Sequence, residues 1–194
     1  MDSSLLALLE RIHEDGLRHD AAHEDRIERR RNVEPETARM LGVLVRAARA
    51  GRLLELGTSN GYSTIWLADA ARDVGGTLRS VELDSERLGE ANLNLKEAGL
   101  RDLVDLRQQD AGACLAASPD EIWDFIFLDA ERPSYAGYWP DLLRSLSTGG
   151  LLAIDNVLSH AEELADVRRL IESDERVMAA LAPVGAGVLL VVKR

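Results

Sequence analysis

Cysteine is nearly missing from this sequence: Cys114 is the only one in 194 residues. An intramolecular disulfide is therefore excluded, and a zinc centre built on thiolates has no ligand set. Long apolar runs are also missing, and no stretch approaches the roughly 18 apolar residues that a membrane span requires. The opening segment, MDSSLLALLERIHEDG, has no basic region ahead of its leucines and no small-residue cleavage site. A secretory leader is not expected, and the protein reads as cytoplasmic. Positive charge is in the minority, 23 Lys and Arg against 34 Asp and Glu, for a net charge of −11. Such a field repels phosphate backbones, so nucleic acid is not an expected partner. One local exception, RIERRRN at 26–32, is basic.

Apolar residues make up 46% of the chain, which suits a buried core and excludes a disordered polymer. Internal repeats, low-complexity tracts and linkers are absent, so one domain over 1–194 is expected. Residues 1–31 differ from the rest. After LLALLERI comes HEDGLRHDAAHEDRIERRR, whose mixed signs read as the solvated face of a helical segment. Within it, HDAAH sets His19 and His23 one helical turn apart with Asp20 between them, a spacing reminiscent of zinc proteases. The segment is charged all round and no third ligand follows, so it reads as a solvated helix.

From residue 32 onward, short apolar runs alternate with helical periodicity. TARMLGVLVRAARA carries an apolar stripe at helical spacing and stops at Gly51. Strands are expected at RLLEL, TLRSVEL, LVDLRQ, WDFIFLD, GLLAID, VMAALAPV and GVLLVVKR. Helices are expected at STIWLADAAR, SERLGEANLNLKEAG, DAGACLAAS, YAGYWPDLLRSLS and AEELADVRRLIES. This alternation predicts an α/β fold, a mainly parallel sheet with helices on both faces. The last two strands are separated by GAG or little more, which permits a hairpin and no crossover helix. One of them should therefore run antiparallel to the rest.

The stretch LLELGTSNGYST carries the first chemical signal. An apolar strand ends in Glu55, turns between Gly57 and Gly61, and enters a helix at once. In parallel sheets, ligands sit beyond the carboxyl ends of strands. Glu82, at the tip of the second strand, stands where a carboxylate accepts hydrogen bonds from ribose hydroxyls. A dinucleotide is disfavoured, because the fingerprint G-x-G-x-x-G is replaced by G-x-x-x-G with Ser59 at the central position. Glu55 beside the turn is also unhelpful to a phosphate. A ligand with an amino group, a ribose and a sulfonium, such as S-adenosylmethionine, fits better. The plainer reading is a strand-turn-helix without ligand.

A second cluster lies at the ends of the fourth and fifth strands: Asp129 in FLDAERPSYAGY, and Asp155-Asn156 in GGLLAIDNVLSH. Adjacent strand ends lie about 5 Å apart. Two carboxylates, an amide and waters are what a hard divalent cation such as Mg²⁺ accepts. The plainer reading is that Asp155 and Asn156 cap a turn.

ELGTSNGYS, SVELD, FLDAERPSYAGY and GGLLAIDNV, in this order and spacing, resemble the class I S-adenosylmethionine-dependent O-methyltransferases, in particular the metal-dependent catechol and caffeoyl-coenzyme A type. The resemblance covers about residues 32–194. It implies a Rossmann-like seven-stranded sheet of order 3-2-1-4-5-7-6. It implies that Gly57, Ser59 and Gly61 line the methionine end of the cofactor, with Glu55 and Ser63 nearby and Glu82 on the ribose. Val33 would make a backbone contact and Asp110 would border the adenine. Asp129, Asp155 and Asn156 would hold the metal. Relatives of this type are often homodimers. One departure concerns proton transfer, because the family's lysine three residues after the first metal aspartate is here Arg132. A guanidinium stays protonated at any working pH and cannot act as a base. Either a metal alone acidifies the acceptor hydroxyl, or Glu131 or His160 takes the proton. Tyr135, Tyr138 and Trp139 could stack on a planar acceptor, although core packing is the commoner role. The expected activity is methylation of a hydroxyl on a small catechol-like or vicinal-diol acceptor. The alternatives are a metal-independent methyltransferase of the same fold and a cofactor-binding protein without catalysis.

Overall fold

The computed structural model describes residues 1–25 and 28–194; Arg26 and Ile27, part of the basic run, lie outside the described residues. Seven strands form one sheet: β1 (Arg52–Leu56), β2 (Thr77–Glu82), β3 (Val104–Gln108), β4 (Trp123–Leu128), β5 (Leu146–Ile154), β6 (Val177–Ala182) and β7 (Val188–Lys193). Their order is β3-β2-β1-β4-β5-β7-β6, as the resemblance implied. β7 pairs antiparallel with both β5 and β6, so it is the reversed strand of the expected hairpin.

The helices are α1 (Ser3–Ala22), α2 (Pro35–Ala48), α3 (Tyr62–Val74), α4 (Ser85–Glu97), α5 (Ala111–Ala117), α6 (Tyr135–Ser145) and α7 (Ala165–Glu172). Period-two alternation divides the central strands between two cores. Leu53, Phe125, Phe127 and Ala153 join the cluster beneath α1–α4. Leu54, Leu56, Ile126, Leu128, Leu152 and Ile154 join the cluster beneath α5–α7. Both faces are covered, so β4 reads as a near-continuous apolar run, as buried parallel strands do. Asp84 and Asp110 each accept backbone N–H groups at the starts of α4 and α5, which fixes where those helices leave the strand ends.

Three expected boundaries shift. The N-terminal helical segment expected over 1–31 is helical only to Ala22, and its Leu5, Leu8, Leu9 and Ile12 are buried against the sheet-covering core. α6 stops at Ser145, and β5 begins at Leu146 rather than Gly150. An irregularity in the β4–β5 ladder takes up the extra residues, since Trp123 faces Leu146 while Phe125 faces Leu151. α7 starts four residues later than its sequence pattern, after a run of turns. No helix among the described residues is long and apolar enough to cross a membrane.

Candidate functional site

A cavity of about 420 Å³ opens beyond the carboxyl ends of β1, β2, β4 and β5. Gly57, at the end of β1, has φ +102°, and a Cβ there would fall 2.1 Å from the Asp129 carbonyl oxygen. Only glycine fits, because the end of β4 lies against this turn, with Asp129 N–H donating to Leu56 O at 2.9 Å. Gly61 serves a different need. It starts α3 at φ +87°, and a Cβ there would lie 3.1 Å from Ala91 of α4, so this glycine permits helix packing and does not line the cavity.

Between them Ser59 adopts a left-handed φ of +48°, costly for a non-glycine residue. Its N–H donates to Glu82 Oε2 at 2.8 Å and its hydroxyl donates to Arg30 O at 2.8 Å. Glu82 Oε1 accepts the N–H groups of Leu83 and Asp84 at 2.9 and 3.0 Å. The strand-tip carboxylate is thus fixed by three backbone donors, and a carboxylate retains further lone pairs for a ligand. Ser63, Val33 and Asp110 line the same cavity.

Glu55 does not line it. Its side chain is fully buried beneath the turn, where Ser63, Thr64 and Ser80 hydroxyls donate to it at 2.5–2.6 Å. Desolvation pushes its carboxyl up to about 7, opposed by those three hydrogen bonds. The expected fixed negative charge beside the turn is therefore partly protonated at neutral pH. Glu55 reaches the cavity only through Ser63.

The strand ends of β4 and β5 do converge. Asn156, in left-handed backbone at φ +67°, donates from Nδ2 to Asp129 Oδ1 at 3.0 Å and to Asp155 Oδ2 at 3.3 Å. Asp155 Oδ1 is buried and has no hydrogen-bond partner among the described residues. Burial first, and then the neighbouring Asp155, drive the Asp129 carboxyl well above its usual range. Burial pushes Asp155 up to about 6. The pair carries a shortage of positive charge, which a cation or a proton relieves. No cluster of three or more His, Cys, Asp or Glu with metal-holding geometry occurs among the described residues, so any cation here depends on the Asn156 amide as third ligand. Rotating that amide by half a turn exchanges its nitrogen for its oxygen.

Arg132, in a short 3-10 turn ahead of α6, is 4% exposed and lines the cavity. Its Nε donates to Glu163 at 2.9 Å, while its buried Nη2 has no partner among the described residues. Glu131 is 70% exposed and paired with Arg31 at 3.0 Å. His160 lines the cavity, with Nδ1 2.8 Å from the Ser159 hydroxyl. Tyr135 and Trp139 are buried core residues, with the Tyr135 hydroxyl donating to Ala130 O and the Trp139 indole to Asp174. Only Tyr138 of the three aromatics reaches the cavity wall.

Sequence reasoning missed that residues 29–32 and Glu34 also line the cavity. Asp20, the acid of the HDAAH segment, accepts the N–H groups of Arg30 and Arg31 at 2.7 and 2.9 Å and so returns the chain over the glycine turn. Arg30 adds a two-pronged pair with Glu90 of α4 at 2.6 and 2.8 Å. His19 and His23 stack on one another, with ring centroids 4.1 Å apart. The basic run was visible, but its destination depends on a tertiary contact that no local pattern encodes.

The sheet order β3-β2-β1-β4-β5-β7-β6 with its reversed β7, the glycine turn after β1 and the acidic tip of β2 together place the fold in the Rossmann-like methyltransferase class. The chain belongs to the O-methyltransferase family, matched over residues 7–194, and with it to the S-adenosylmethionine-dependent methyltransferases. It is 35% identical over 136 residues to a catechol O-methyltransferase of Niastella koreensis, covering 69% of this chain and 61% of that protein's length. An O-methyltransferase of Bacillus cereus, solved in complex with SAH, superimposes with a TM-score of 0.79 at 28% identity, over 100% of this chain and 92% of that one. The O-methyltransferase TomG of Streptomyces achromogenes, solved with SAM, gives a TM-score of 0.79 at 24% identity over 100% and 90% of the two chains, a likeness of fold alone.

Proposed function

We propose that this protein is a cytoplasmic single-domain enzyme that transfers a methyl group from S-adenosylmethionine to a hydroxyl of a small catechol-like or vicinal-diol acceptor, assisted by a divalent metal such as Mg²⁺. The observation that carries the metal-assisted reading is the meeting of Asp129, Asp155 and Asn156 beside the glycine turn, with a buried carboxylate oxygen that no protein group among the described residues satisfies. Two hard carboxylates and an amide oxygen suit Mg²⁺, and Asp129, Asp155 and Asn156 would hold it. When bound, such an ion supplies a Lewis acid that lowers the pKa of a hydroxyl and orients it.

The chain's own residues supply the rest. Ser59, Ser63, Gly57 and Val33 would enclose the methionine end of the cofactor. Glu82, fixed by three backbone donors, would keep lone pairs for the ribose, and Asp110 would border the adenine. Glu55 would act indirectly, by accepting the Ser63 proton and leaving that hydroxyl's lone pairs toward the ligand. In the transfer, an acceptor oxygen attacks the methyl carbon as the carbon–sulfur bond breaks, and the hydroxyl proton leaves to solvent water or to His160, which lines the cavity. Arg132 cannot take it and would instead stabilise negative charge developing on the oxygen. Holding both reactants in line contributes as much as any acid–base step.

The test is a turnover screen with labelled cofactor on catechol and other vicinal diols, with Mg²⁺ and with excess EDTA. The expected result is metal-dependent methylation with SAH affinity nearly unchanged by chelation. Full activity in EDTA with no metal retained would favour the metal-independent alternative. SAH binding without turnover on any acceptor would favour a non-catalytic binding protein.

A further inference from the structure

We propose that Gly187, in the β6–β7 turn at 184–187, is a positioning residue for the transfer, because this turn holds the segment that carries Asn156 and His160 into the cavity wall. The inference rests on the methyltransferase reading above and adds the part of the fold that keeps those two side chains in place. The β5–β7 ladder ends where Ile154 faces Leu189. Beyond it Asn156 takes left-handed backbone at φ +67°, and residues 157–164 form a run of turns. Turns leave backbone N–H groups without the regular partners of a helix or strand, and such groups need others. Three in succession find them on the hairpin. Val157 N–H donates to Gly187 O at 2.9 Å, and the N–H groups of Leu158 and Ser159 donate to Ala186 O at 2.9 and 3.1 Å. Asn156 O accepts the His160 N–H at 3.0 Å, so the two cavity-lining residues flank the clamped stretch.

A positioning element must itself be fixed, and this one is. Gly187 N–H donates to Val184 O at 2.9 Å and closes the turn. The chain then enters β7, which is paired on both sides, with β5 and with β6. Toward α2 the turn has no room to retreat, since a Cβ on Gly185 would fall 2.3 Å from the buried Thr37 Oγ1. The turn does not line the cavity, so it acts only through the segment it clamps. Gly187 sets the distance of that contact. Its φ is +87°, and a Cβ there would lie 2.5 Å from Leu158 Cγ, so any side chain drives the turn and the segment apart. Displacing a reactant by about 1 Å from its line of attack can cost about a hundredfold in rate.

The test has two arms. In the unaltered protein, amide hydrogen exchange at Val157, Leu158 and Ser159 should be slower than in a free peptide by about a hundredfold or more. Exchange at the free-peptide rate overturns the inference, whether or not any variant folds. The second arm compares Gly187→Ala with the parent on catechol, using labelled S-adenosylmethionine and Mg²⁺, with activity expressed per SAH-binding site counted by calorimetry. The variant should lose about ten- to a hundredfold in kcat per site and exchange faster at the three amides. Its KM for S-adenosylmethionine and its SAH affinity should stay at the parental values. A merely structural lesion would instead remove SAH-binding sites and leave kcat per site unchanged. Parental kcat per site in Gly187→Ala overturns this inference and leaves the methyltransferase reading standing, as does a loss of SAH affinity equal to the loss of kcat. A parent that binds SAH and methylates no vicinal diol overturns that reading, and the role in acceptor positioning with it.

Discussion

Replacing Glu55 with glutamine should reverse the sign of its effect on stability between acid and alkaline pH. Glu55 is fully buried, and burial raises its carboxyl from 4.5 to about 7. In the unfolded chain the group returns to its ordinary value, so between these limits the folded protein binds more protons than the unfolded one. Stability from this group is therefore greatest below pH 4.5 and falls as pH rises toward 7. Integrating the two titrations gives a loss of about 2–3 kcal/mol between pH 5 and pH 8. The Glu55→Gln variant cannot ionise at this position and would escape that loss, but an amide pairs less well with three hydroxyl donors than a carboxyl does. At pH 5 the variant should be less stable than the parent by about 1 kcal/mol, the cost of weaker hydrogen bonds. At pH 8 it should be more stable by about 1–2 kcal/mol, the difference of these two effects. Urea unfolding of both proteins at pH 5, 6, 7 and 8 measures this directly. Asp129 and Asp155 titrate in both proteins and most of their contribution cancels; the part that does not is the repulsion between Glu55 and Asp129, which the variant relieves at alkaline pH. A difference independent of pH would show that Glu55 is ionised throughout, and the assignment of a partly protonated carboxyl beneath the turn would be lost.

Glu82→Ala should weaken SAH binding by about 1.5–3 kcal/mol in calorimetry, the usual worth of a hydrogen bond to a charged group; unchanged affinity would remove Glu82 from the site. Asp155→Asn should raise stability in EDTA at pH 8 by about 1–3 kcal/mol, since a carboxyl that burial pushes up to about 6 is ionised there at a cost. The same variant should lose turnover, and a stabilised variant with parental activity would sever the link between this residue and catalysis.

Local pattern was sufficient for the order and type of the elements and for the positions of most chemical groups. Period-two alternation in β1 and β4, apolar stripes in the helices and the short β6–β7 spacing are direct consequences of backbone geometry. They required an α/β sheet with a reversed strand near its end. Gly57 and the Asp129, Asp155-Asn156 set were legible because strand ends of a parallel sheet lie together at one edge. What each group does there depended on the folded chain. Glu55 and Ser63 both lie near the glycine turn in sequence, yet only Ser63 reaches the cavity, because the Glu55 side chain beneath the turn points into the sheet–helix interior. Gly61 looked equivalent to Gly57, but its constraint is Ala91, 30 residues away in the chain. Asp20 resembled part of a solvated helical face and instead anchors the Arg30–Arg31 backbone over the glycine turn. In each case the deciding partner belongs to another element that only the folded chain brings alongside. Local pattern reports periodicity and turn chemistry, and it carries no record of which remote hydrogen-bond donor a carboxylate will meet.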